Sequence, residues 1–250
     1  MSILYNDLTD QAAKLMQKAD DGDAKAQHDF GTYLLREADY SYRKNLNQED
    51  VERGMDYLRL SAAQGYFQGL AADDLGMIYF EGIIVSQDYT KAKMWFNTAC
   101  LKGIPTSEYM LGECAYYGYD EDINYEKAAM HYIKAAPRFI NSLVRLADMY
   151  MRGEYLPYDP VFAKELYEHV QLSEEWLYKV NGFYSDAHGI ALQRLDDWKR
   201  AKISADYTVS DSFGESDELL AIRGTLLKII KDEEENWKNW VENLKKKAKK

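Results

Sequence analysis

The residue types that most often perform chemistry are few in this chain and lie far apart. The four histidines are His28, His131, His169 and His188, and no two of them fall within one helical turn of each other. A transition-metal site would need several of them to converge with carboxylates from separate segments. We therefore expect no metal site and no other cofactor.

Acidic clusters are the other candidates for chemistry. Asp73-Asp74, Asp196-Asp197 and the run Asp120-Glu121-Asp122 could be drawn as general acids and bases. In a chain with 42 acidic residues, such clusters are expected on solvated faces and at loop tips. The sequence also lacks the Gly-x-Ser-x-Gly, phosphate-loop and His-Glu-x-x-His motifs. These observations predict that the protein is not an enzyme.

A fixed period organises the centre of the chain. A leucine followed by a small residue recurs after 36 and then 35 residues, as Leu75-Gly76, Leu111-Gly112 and Leu146-Ala147. Seven residues after each leucine stands a glycine, where the C-terminus of a helix needs a left-handed residue: Gly82, Gly118 and Gly153. Such a period predicts stacked helical hairpins, an all-α right-handed solenoid.

The second helix of each predicted hairpin carries small and aromatic residues on one stripe. The stripe is written Lys91-Ala92-x-x-Trp95, then Lys127-Ala128-x-x-x-Tyr132, then Ala163-x-x-x-Tyr167. Such a stripe indicates burial against neighbouring helices. We expect four aromatic residues to be largely buried between hairpins: Tyr79, Trp95, Tyr132 and Tyr150.

Together these residues resemble the Sel-one-like repeat (SLR) family, a tetratricopeptide-type helical repeat. Residues 67–104 fit best, from Ala71 through Leu75 and Gly82 to Trp95. Residues 105–139 and 140–171 fit with departures, since Ala115 replaces a tyrosine and Ala147 a glycine. Residues 23–66 fit with an enlarged loop. The resemblance implies hairpins near these four segments.

The flanking segments are predicted from their own patterns. Residues 7–21, Ala24 to about Tyr42, and about 48 to Gln64 are expected to be helical. Another helix start at Ser173 and a helix over 187–201 would make a degenerate fifth hairpin, completing a repeat domain over 1–203. Residues 204–250 are predicted to be a linker, one long capping helix that begins after Ser216, and a basic tail. Self-association through that helix as a coiled coil is the alternative.

Charge and composition limit the partners. The formal charge is −11, and the lysine-rich end makes residues 1–237 still more acidic. An acidic body repels phosphates, so we expect neither nucleic acid nor an anionic membrane as partner; a basic protein would suit it, although the charge equally serves solubility. No stretch approaches the ~20 apolar residues of a membrane helix. The two cysteines, Cys100 and Cys114, lie within predicted helices and lack the regular pairing of exported SLR proteins, which predicts a cytoplasmic location.

The resemblance implies a protein-interaction scaffold whose first helices line a concave face. Counted from each leucine, the positions two before and two, five and six after should point into that face. They are Asp73, Met77, Phe80 and Glu81; Tyr109, Glu113, Tyr116 and Tyr117; and Val144, Asp148, Met151 and Arg152. Tyr109, Tyr116 and Tyr117 are the expected anchors, with Asp73, Glu81 and Glu113 as steering charges. Alternatively, the aromatic residues only fill the inside of a tight superhelix.

Two other functions stay open at this point. An immunity protein that neutralises a cognate toxin in the cytosol would also be acidic, modest in size and without a signal peptide. A hydrolase built on a repeat fold, with an unrecognised site, is the remaining alternative.

Overall fold

A computed structural model describes residues 10–40, 48–64, 67–181, 185–200 and 216–247. Within these ranges the chain forms eleven α-helices and no strand, which confirms the all-α prediction. The helices are α1 (Asp10–Asp20), α2 (Ala24–Tyr40), α3 (Gln48–Ala62), α4 (Gln68–Glu81), α5 (Tyr89–Cys100), α6 (Pro105–Tyr117), α7 (Tyr125–Ala135), α8 (Asn141–Arg152), α9 (Pro160–Asn181), α10 (Asp186–Arg200) and α11 (Asp217–Lys247). None of the described helices is both long enough and apolar enough to cross a membrane.

The first helices of three hairpins end at the predicted glycines. Gly82, Gly118 and Gly153 follow α4, α6 and α8 with φ of 66°, 71° and 66°. A side chain disfavours this left-handed conformation, and at Gly82 an added Cβ would also lie 2.5 Å from the Cβ of Gln87. The chain can therefore leave the helix and turn back within a short loop.

The second helices begin at a polar cap thirteen residues after each leucine. The side chains of Asp88, Asn124 and Asp159 accept the backbone N–H groups of residues three further on, at 2.9, 2.8 and 2.9 Å. The backbone N–H of Asp88 donates to the carbonyl of Tyr79 at 2.9 Å, and that of Asp159 donates to the carbonyl of Tyr150 at 3.0 Å. These bonds close the loop onto the first helix while starting the second.

Residues 1–123 form one compact unit, here unit 1. In it α2 packs against α3 and α4 against α5, while α3 meets α4 and α5 meets α6. The small residue after Leu75 permits the closest of these contacts, because a Cβ on Gly76 would lie 2.5 Å from the ring of Phe96. Leu58, Leu75 and Phe96 are fully buried. Unit 1 thus contains stacked hairpins, as the period predicts.

Residues 124–250 form the other compact unit, unit 2, whose core contains several buried polar side chains. Asp148 of α8 accepts the hydroxyl of Tyr167 on α9 at 2.6 Å and the Nε of Arg194 on α10 at 2.8 Å. Burial and the Asp148 carboxylate raise the pKa of Tyr167. The three helices are therefore joined through one buried carboxylate with charged and neutral donors.

The long α11 packs against α9 in unit 2. Its buried stripe contains Ile222, Leu226 and Ile229. Arg223 pairs with the buried carboxylate of Asp159 at 2.5 Å, and its guanidinium lies 4.3 Å from the centre of the Phe162 ring. One end of the α11 stripe is therefore fixed by a buried ion pair.

Further along α11, a second polar contact holds the same helix. Glu233 lies 2.7 Å from His169, and Trp237 stacks on the ring of His169 at 5.6 Å. The backbone of Leu219 donates to the Ser216 hydroxyl at 3.3 Å, as the capping residues predict. The predicted helix is thus present, and its described apolar stripe is covered rather than open.

Some predictions about the helices were wrong. No helix begins at Ser173, because α9 runs without a break from Pro160 to Asn181. Its hydroxyl bonds the carbonyl of His169 one turn earlier, at 2.8 Å, which a residue inside a helix can do. The predicted linker over 204–216 lies, except for Ser216, outside the described residues, as do most of the residues of the enlarged loop after α2.

Two of the four aromatic residues expected in the core are only half-buried. Tyr132 and Tyr150 are fully buried as predicted, whereas Tyr79 and Trp95 are not. The hydroxyl of Tyr79 accepts a bond from Arg59 at 3.2 Å, and the ammonium of Lys91 lies 5.3 Å from its ring. Tyr79 therefore contributes an edge of the packed surface with its polar end near solvent.

We expect the neighbours Phe96 and Trp95 to differ sharply in their contribution to stability. Phe96→Ala should lower the free energy of unfolding by about 3–5 kcal/mol, because the ring is fully buried against Gly76. Trp95→Ala should cost less than about 2 kcal/mol, since part of that side chain already contacts water. Urea unfolding of both variants measures the difference. An equal or larger loss for Trp95→Ala would contradict the assignment of Phe96, rather than Trp95, to the core.

The ion pair of α11 gives a second stability prediction. Arg223→Met should lower the free energy of unfolding by about 2–3 kcal/mol, because the Asp159 carboxylate stays buried without its charged partner. Lys228→Met, at an exposed position of the same helix, is the matched control and should change it by less than about 0.5 kcal/mol. Thermal unfolding followed by circular dichroism compares them. Equal melting temperatures for the two variants would show that α11 is not held by this contact.

Candidate functional site

A pocket opens between the first helices of two successive hairpins in unit 1. It has a volume of about 240 Å³ and is called here the α2–α4 pocket. Its floor and walls are apolar, whereas its rim carries Thr32, Arg36, Asp74 and Glu81; the apolar residues are Leu35, Leu58, Met77, Ile78 and Ile84. Leu35 and Leu58 belong to the buried core, so the floor of the pocket is fixed by the packing of the hairpins.

A histidine joins α2 to α4 beside this pocket. The Nε2 of His28 lies 2.9 Å from the Asp74 carboxylate, and its Nδ1 lies 3.1 Å from Asp29. The hydrogen bond with Asp74 raises the pKa of His28 above its usual value, although burial opposes that rise. The Asp74 side of the rim is therefore held in place by a contact that strengthens when His28 is protonated.

An aromatic cluster lies at the C-terminal ends of α4 and α6. Its members, here called the aromatic cluster, are Phe80, Tyr89, Phe96, Tyr116, Tyr117 and Tyr119. Tyr89 stacks on Tyr119 with ring centres 4.7 Å apart, and Phe80 meets both rings edge-on at 5.3 and 5.4 Å. Tyr117 contacts Tyr116 at 4.9 Å and Tyr119 at 5.6 Å. Tyr117 is 44% exposed, so the cluster presents a large aromatic side chain to solvent.

The loop that carries Tyr119 is fixed to α5. Lys93 donates to the carbonyls of Tyr119 and Asp120 at 3.2 and 2.8 Å, and its ammonium lies 3.7 Å from the Glu121 carboxylate. Thr90 donates to the carboxylate of Asp120, which has a left-handed backbone with φ of 56°. Burial raises the pKa of Tyr119, and smaller contributions come from the neighbouring Tyr89 and Tyr117 phenols and from Glu113. The aromatic cluster is thus preformed.

Some of the predicted binding residues of unit 1 lie at its surface, and others are buried beneath it. Met77 and Glu81 line the α2–α4 pocket, and Phe80, Tyr116 and Tyr117 belong to the aromatic cluster. Tyr116 is buried, so of these two predicted anchors only Tyr117 is exposed. Tyr109 is half-buried.

Two of the predicted steering charges are used within the structure. Asp73 accepts the hydroxyls of Thr106, at 2.7 Å, and Ser107, which joins α4 to α6, and burial raises its pKa. Glu113 is buried. Only Glu81 of this trio is exposed.

In unit 2, most of the predicted residues are also used for packing. Asp148 is buried and bonded to Tyr167 and Arg194, and Val144 is buried. Met151 is half-buried, while Arg152 is exposed 3.7 Å from Glu154. The prediction treated every inward position as solvent-facing, but a further helix, α10, packs on α8 and takes up Asp148.

Sequence reasoning missed the contributions from outside the first helices. Tyr89 begins a second helix, Tyr119 and Ile84 lie in loops, and Leu35 is on α2 in the hairpin with no counted leucine. The predicted binding positions all lay on the first helices that contain the three repeated leucines, so they included no residue of a second helix or of a loop. The tyrosines on both sides of Gly118 were the one sequence signal that could have pointed to Tyr119.

One group in unit 2 contains residue types found in hydrolases. The Nε2 of His169 lies 2.7 Å from Glu233 and 3.4 Å from the hydroxyl of Ser173. A nucleophile, base and orienting acid need the serine and the acid on opposite ring nitrogens. Here both approach the same nitrogen, and the Ser173 hydroxyl donates to a backbone carbonyl. The geometry is that of a structural contact for α11.

Within the ranges that the structure describes, no three histidine, cysteine or carboxylate side chains lie close enough together to bind a metal ion.

The His28 contact predicts a dependence of stability on pH. Because its pKa is raised in the folded state, its stabilisation is full below about pH 6.5 and is lost as pH rises through the raised pKa. The free energy of unfolding of the parent should exceed that of His28→Gln by more at about pH 5.5 than at about pH 8.5. Asp74→Asn should remove most of the same pH dependence. Combining it with His28→Gln should change the pH dependence little further. A constant difference between parent and His28→Gln at the two pH values would contradict this assignment.

Known proteins share both the repeats and the fold. The sequence model of the Sel1 repeat family matches residues 25–66, 69–104, 105–136 and 140–168, together more than half of the chain. Human protein sel-1 homolog 2 is 33% identical over 82 residues, which are 32% of this chain and 12% of that protein. This chain therefore spans only a small part of that relative's length.

A solved structure agrees with this relationship, and a second one is similar in sequence. A protective antigen of uropathogenic Escherichia coli strains, displaying an SLR fold, superposes with a TM-score of 0.57 and 26% identity over 76% of this chain and 41% of its own. A Sel1 repeat protein from Oxalobacter formigenes gives 28% identity and a TM-score of 0.46 over 56% of this chain and 99% of its own. Sel1 repeat proteins generally mediate protein–protein interactions. With four matched repeats, in three of which the first helix ends at a left-handed glycine, the chain belongs to the Sel1 repeat family.

Proposed function

We propose that this chain is a non-enzymatic interaction scaffold that binds a basic protein segment on the first-helix face of unit 1. One observation carries the proposal: the α2–α4 pocket and the aromatic cluster meet on the last turn of α4. Met77 and Glu81 line the pocket, while Phe80, between them in sequence, belongs to the aromatic cluster. One wall of the apolar pocket, one member of the aromatic cluster and a carboxylate thus lie within one helical turn.

The distribution of charge supports a basic partner for this unit. Residues 1–123 contain 21 acidic and 11 basic residues, a formal charge of −10, whereas residues 124–250 contain 21 and 20, a charge of −1. More than half of this difference comes from the lysine-rich residues 238–250, whose charge is +5, since residues 124–237 alone carry −6. Unit 1 is nevertheless the more acidic of the two units. A negative unit attracts a cationic segment and speeds its association.

The exposed tyrosine supplies the expected contact area. Tyr117 is backed by Tyr116 and Tyr119, so it loses little conformational freedom when a partner covers it. Aromatic side chains that are already oriented are typical of residues that dominate binding energy. Arg152 of unit 2 stays a separate candidate contact, as predicted from the repeat.

Selection of peptides against the immobilised chain tests the proposal without knowledge of the natural partner. Random peptides displayed on phage should yield binders with a net positive charge, whose affinity falls as salt concentration rises. Tyr117→Ala should weaken these binders about tenfold or more. Tyr158→Ala is the matched control, because Tyr158 is a 48% exposed tyrosine in a loop of unit 2, and it should leave binding unchanged.

The result can contradict the proposal in two ways. Selected peptides of neutral or acidic charge would exclude electrostatic recognition by unit 1. Equal binding by the Tyr117→Ala and Tyr158→Ala variants would place the site elsewhere. Once a natural partner is found, loss of that partner's own activity on binding would identify the chain as an inhibitor, such as an immunity protein, instead of a scaffold.

A further inference from the structure

The size of the α2–α4 pocket restricts what can enter it. Its volume of about 240 Å³ is below the roughly 300–1,000 Å³ of pockets that enclose a whole small molecule. It is shaped by side chains of α2, α3, α4 and the loop after α4, and five of its nine lining residues are aliphatic or Met. A cavity of this size and lining suits one large apolar side chain rather than an ion or a cofactor.

The pocket is part of the folded unit and needs no rearrangement to form. Leu35 and Leu58 at its floor are 3% and 0% exposed, so they are held by the core of the hairpins. The Thr32 hydroxyl bonds the carbonyls of His28 and Asp29 in its own helix, at 3.1 and 3.0 Å, and so does not bridge the opening. A side chain that enters gains apolar contact without displacing an interhelical bond.

The charges at the rim are asymmetric. Asp74 and Glu81 lie on the α4 side, and Arg36 lies on the α2 side. Asp74 is engaged by His28, whereas Glu81 is exposed on the last turn of α4 beside the aromatic cluster. A cation next to an inserted side chain is therefore favoured towards α4 and disfavoured towards α2.

We propose that the α2–α4 pocket receives one leucine- or phenylalanine-sized side chain of the partner, with an adjacent lysine or arginine directed to Glu81. The inference rests on the proposed function and specifies its partner as a peptide segment with an apolar anchor flanked by basic residues. The apolar side chain supplies affinity, and the flanking cation sets the direction in which the segment crosses the pocket.

Two synthetic peptides test this assignment on the full chain. Each peptide has two lysines before and two lysines after a central residue. The central residue is leucine in one peptide and serine in the other. The leucine peptide should bind at least about tenfold more tightly, the gain expected from removing a leucine side chain from water. In the carbon-13 methyl spectrum of methionine-labelled protein, Met77 should shift with the leucine peptide. Met94, on α5 and 52% exposed, is the internal control and should not shift.

Variants locate the two parts of the interaction. Thr32→Phe fills the opening and should abolish the preference for leucine over serine. Glu81→Gln should weaken both peptides and reduce the dependence of binding on salt. Glu52→Gln, the same change at an exposed position of α3, is the matched control and should do neither. Unchanged circular dichroism would show that the variants remain folded.

The outcomes separate this inference from the proposed function. Equal affinity for the two peptides, a leucine preference that persists in Thr32→Phe, or no binding of the leucine peptide up to about 1 mM overturns the pocket assignment. If phage-selected basic peptides still depend on Tyr117, the scaffold proposal stands while the pocket assignment fails. If Tyr117 has no effect but Met77 still shifts, the pocket assignment stands and the aromatic cluster is not part of the site.

Discussion

The hairpins depend on how the backbone groups at the ends of two short helices are satisfied within one loop. A helix of twelve to fourteen residues leaves several carbonyls and N–H groups without partners in its own helix at its ends, and these groups are costly to bury unbonded. In the second hairpin Gly82 turns the chain, the Asp88 side chain starts α5, and the Asp88 N–H returns to the carbonyl of Tyr79. Two residues therefore fix both the angle and the register between α4 and α5, and the apolar stripes meet as a result.

Once the hairpins are fixed, the same packing accounts for both core and candidate site. Small residues allow α4 and α5 to approach at Gly76, which buries Phe96 fully. Between α2 and α4, beside the His28–Asp74 contact, the core is not filled and a depression is left. The proposed pocket thus borders directly on the packed core of the hairpins.

The hairpins could be predicted from sequence because their determinants are local. Each leucine and the glycine seven residues after it belong to one short segment, and the repeat of this segment predicted hairpins near 67–104, 105–139 and 140–171, the ranges in which α4 to α8 lie. The site was harder, because exposure depends on which other helices arrive from elsewhere in the chain. Asp148 occupies the same repeat position as Met77, yet α10 supplies Arg194 to it while nothing described fills the pocket beside Met77. Ser173 shows a different limit: a residue type that starts helices elsewhere lies inside α9, where its hydroxyl bonds the carbonyl of His169 one turn earlier.

The residue that caps the start of α9 also helps to dock the last helix, α11, on the repeats. Asp159 begins its helix and, with its remaining oxygen, accepts Arg223 from α11. The equivalent residue in the preceding repeat is Asn124, whose neutral amide has no charge to pair with an arginine. Adding or removing a repeat by gene duplication would therefore leave the terminal helix a docking partner only if the last copy carried an acid at this position. An acid at the cap does not by itself mark a terminal repeat, because Asp88 of an earlier repeat is also an acid and pairs with Lys91 of its own helix at 2.9 Å.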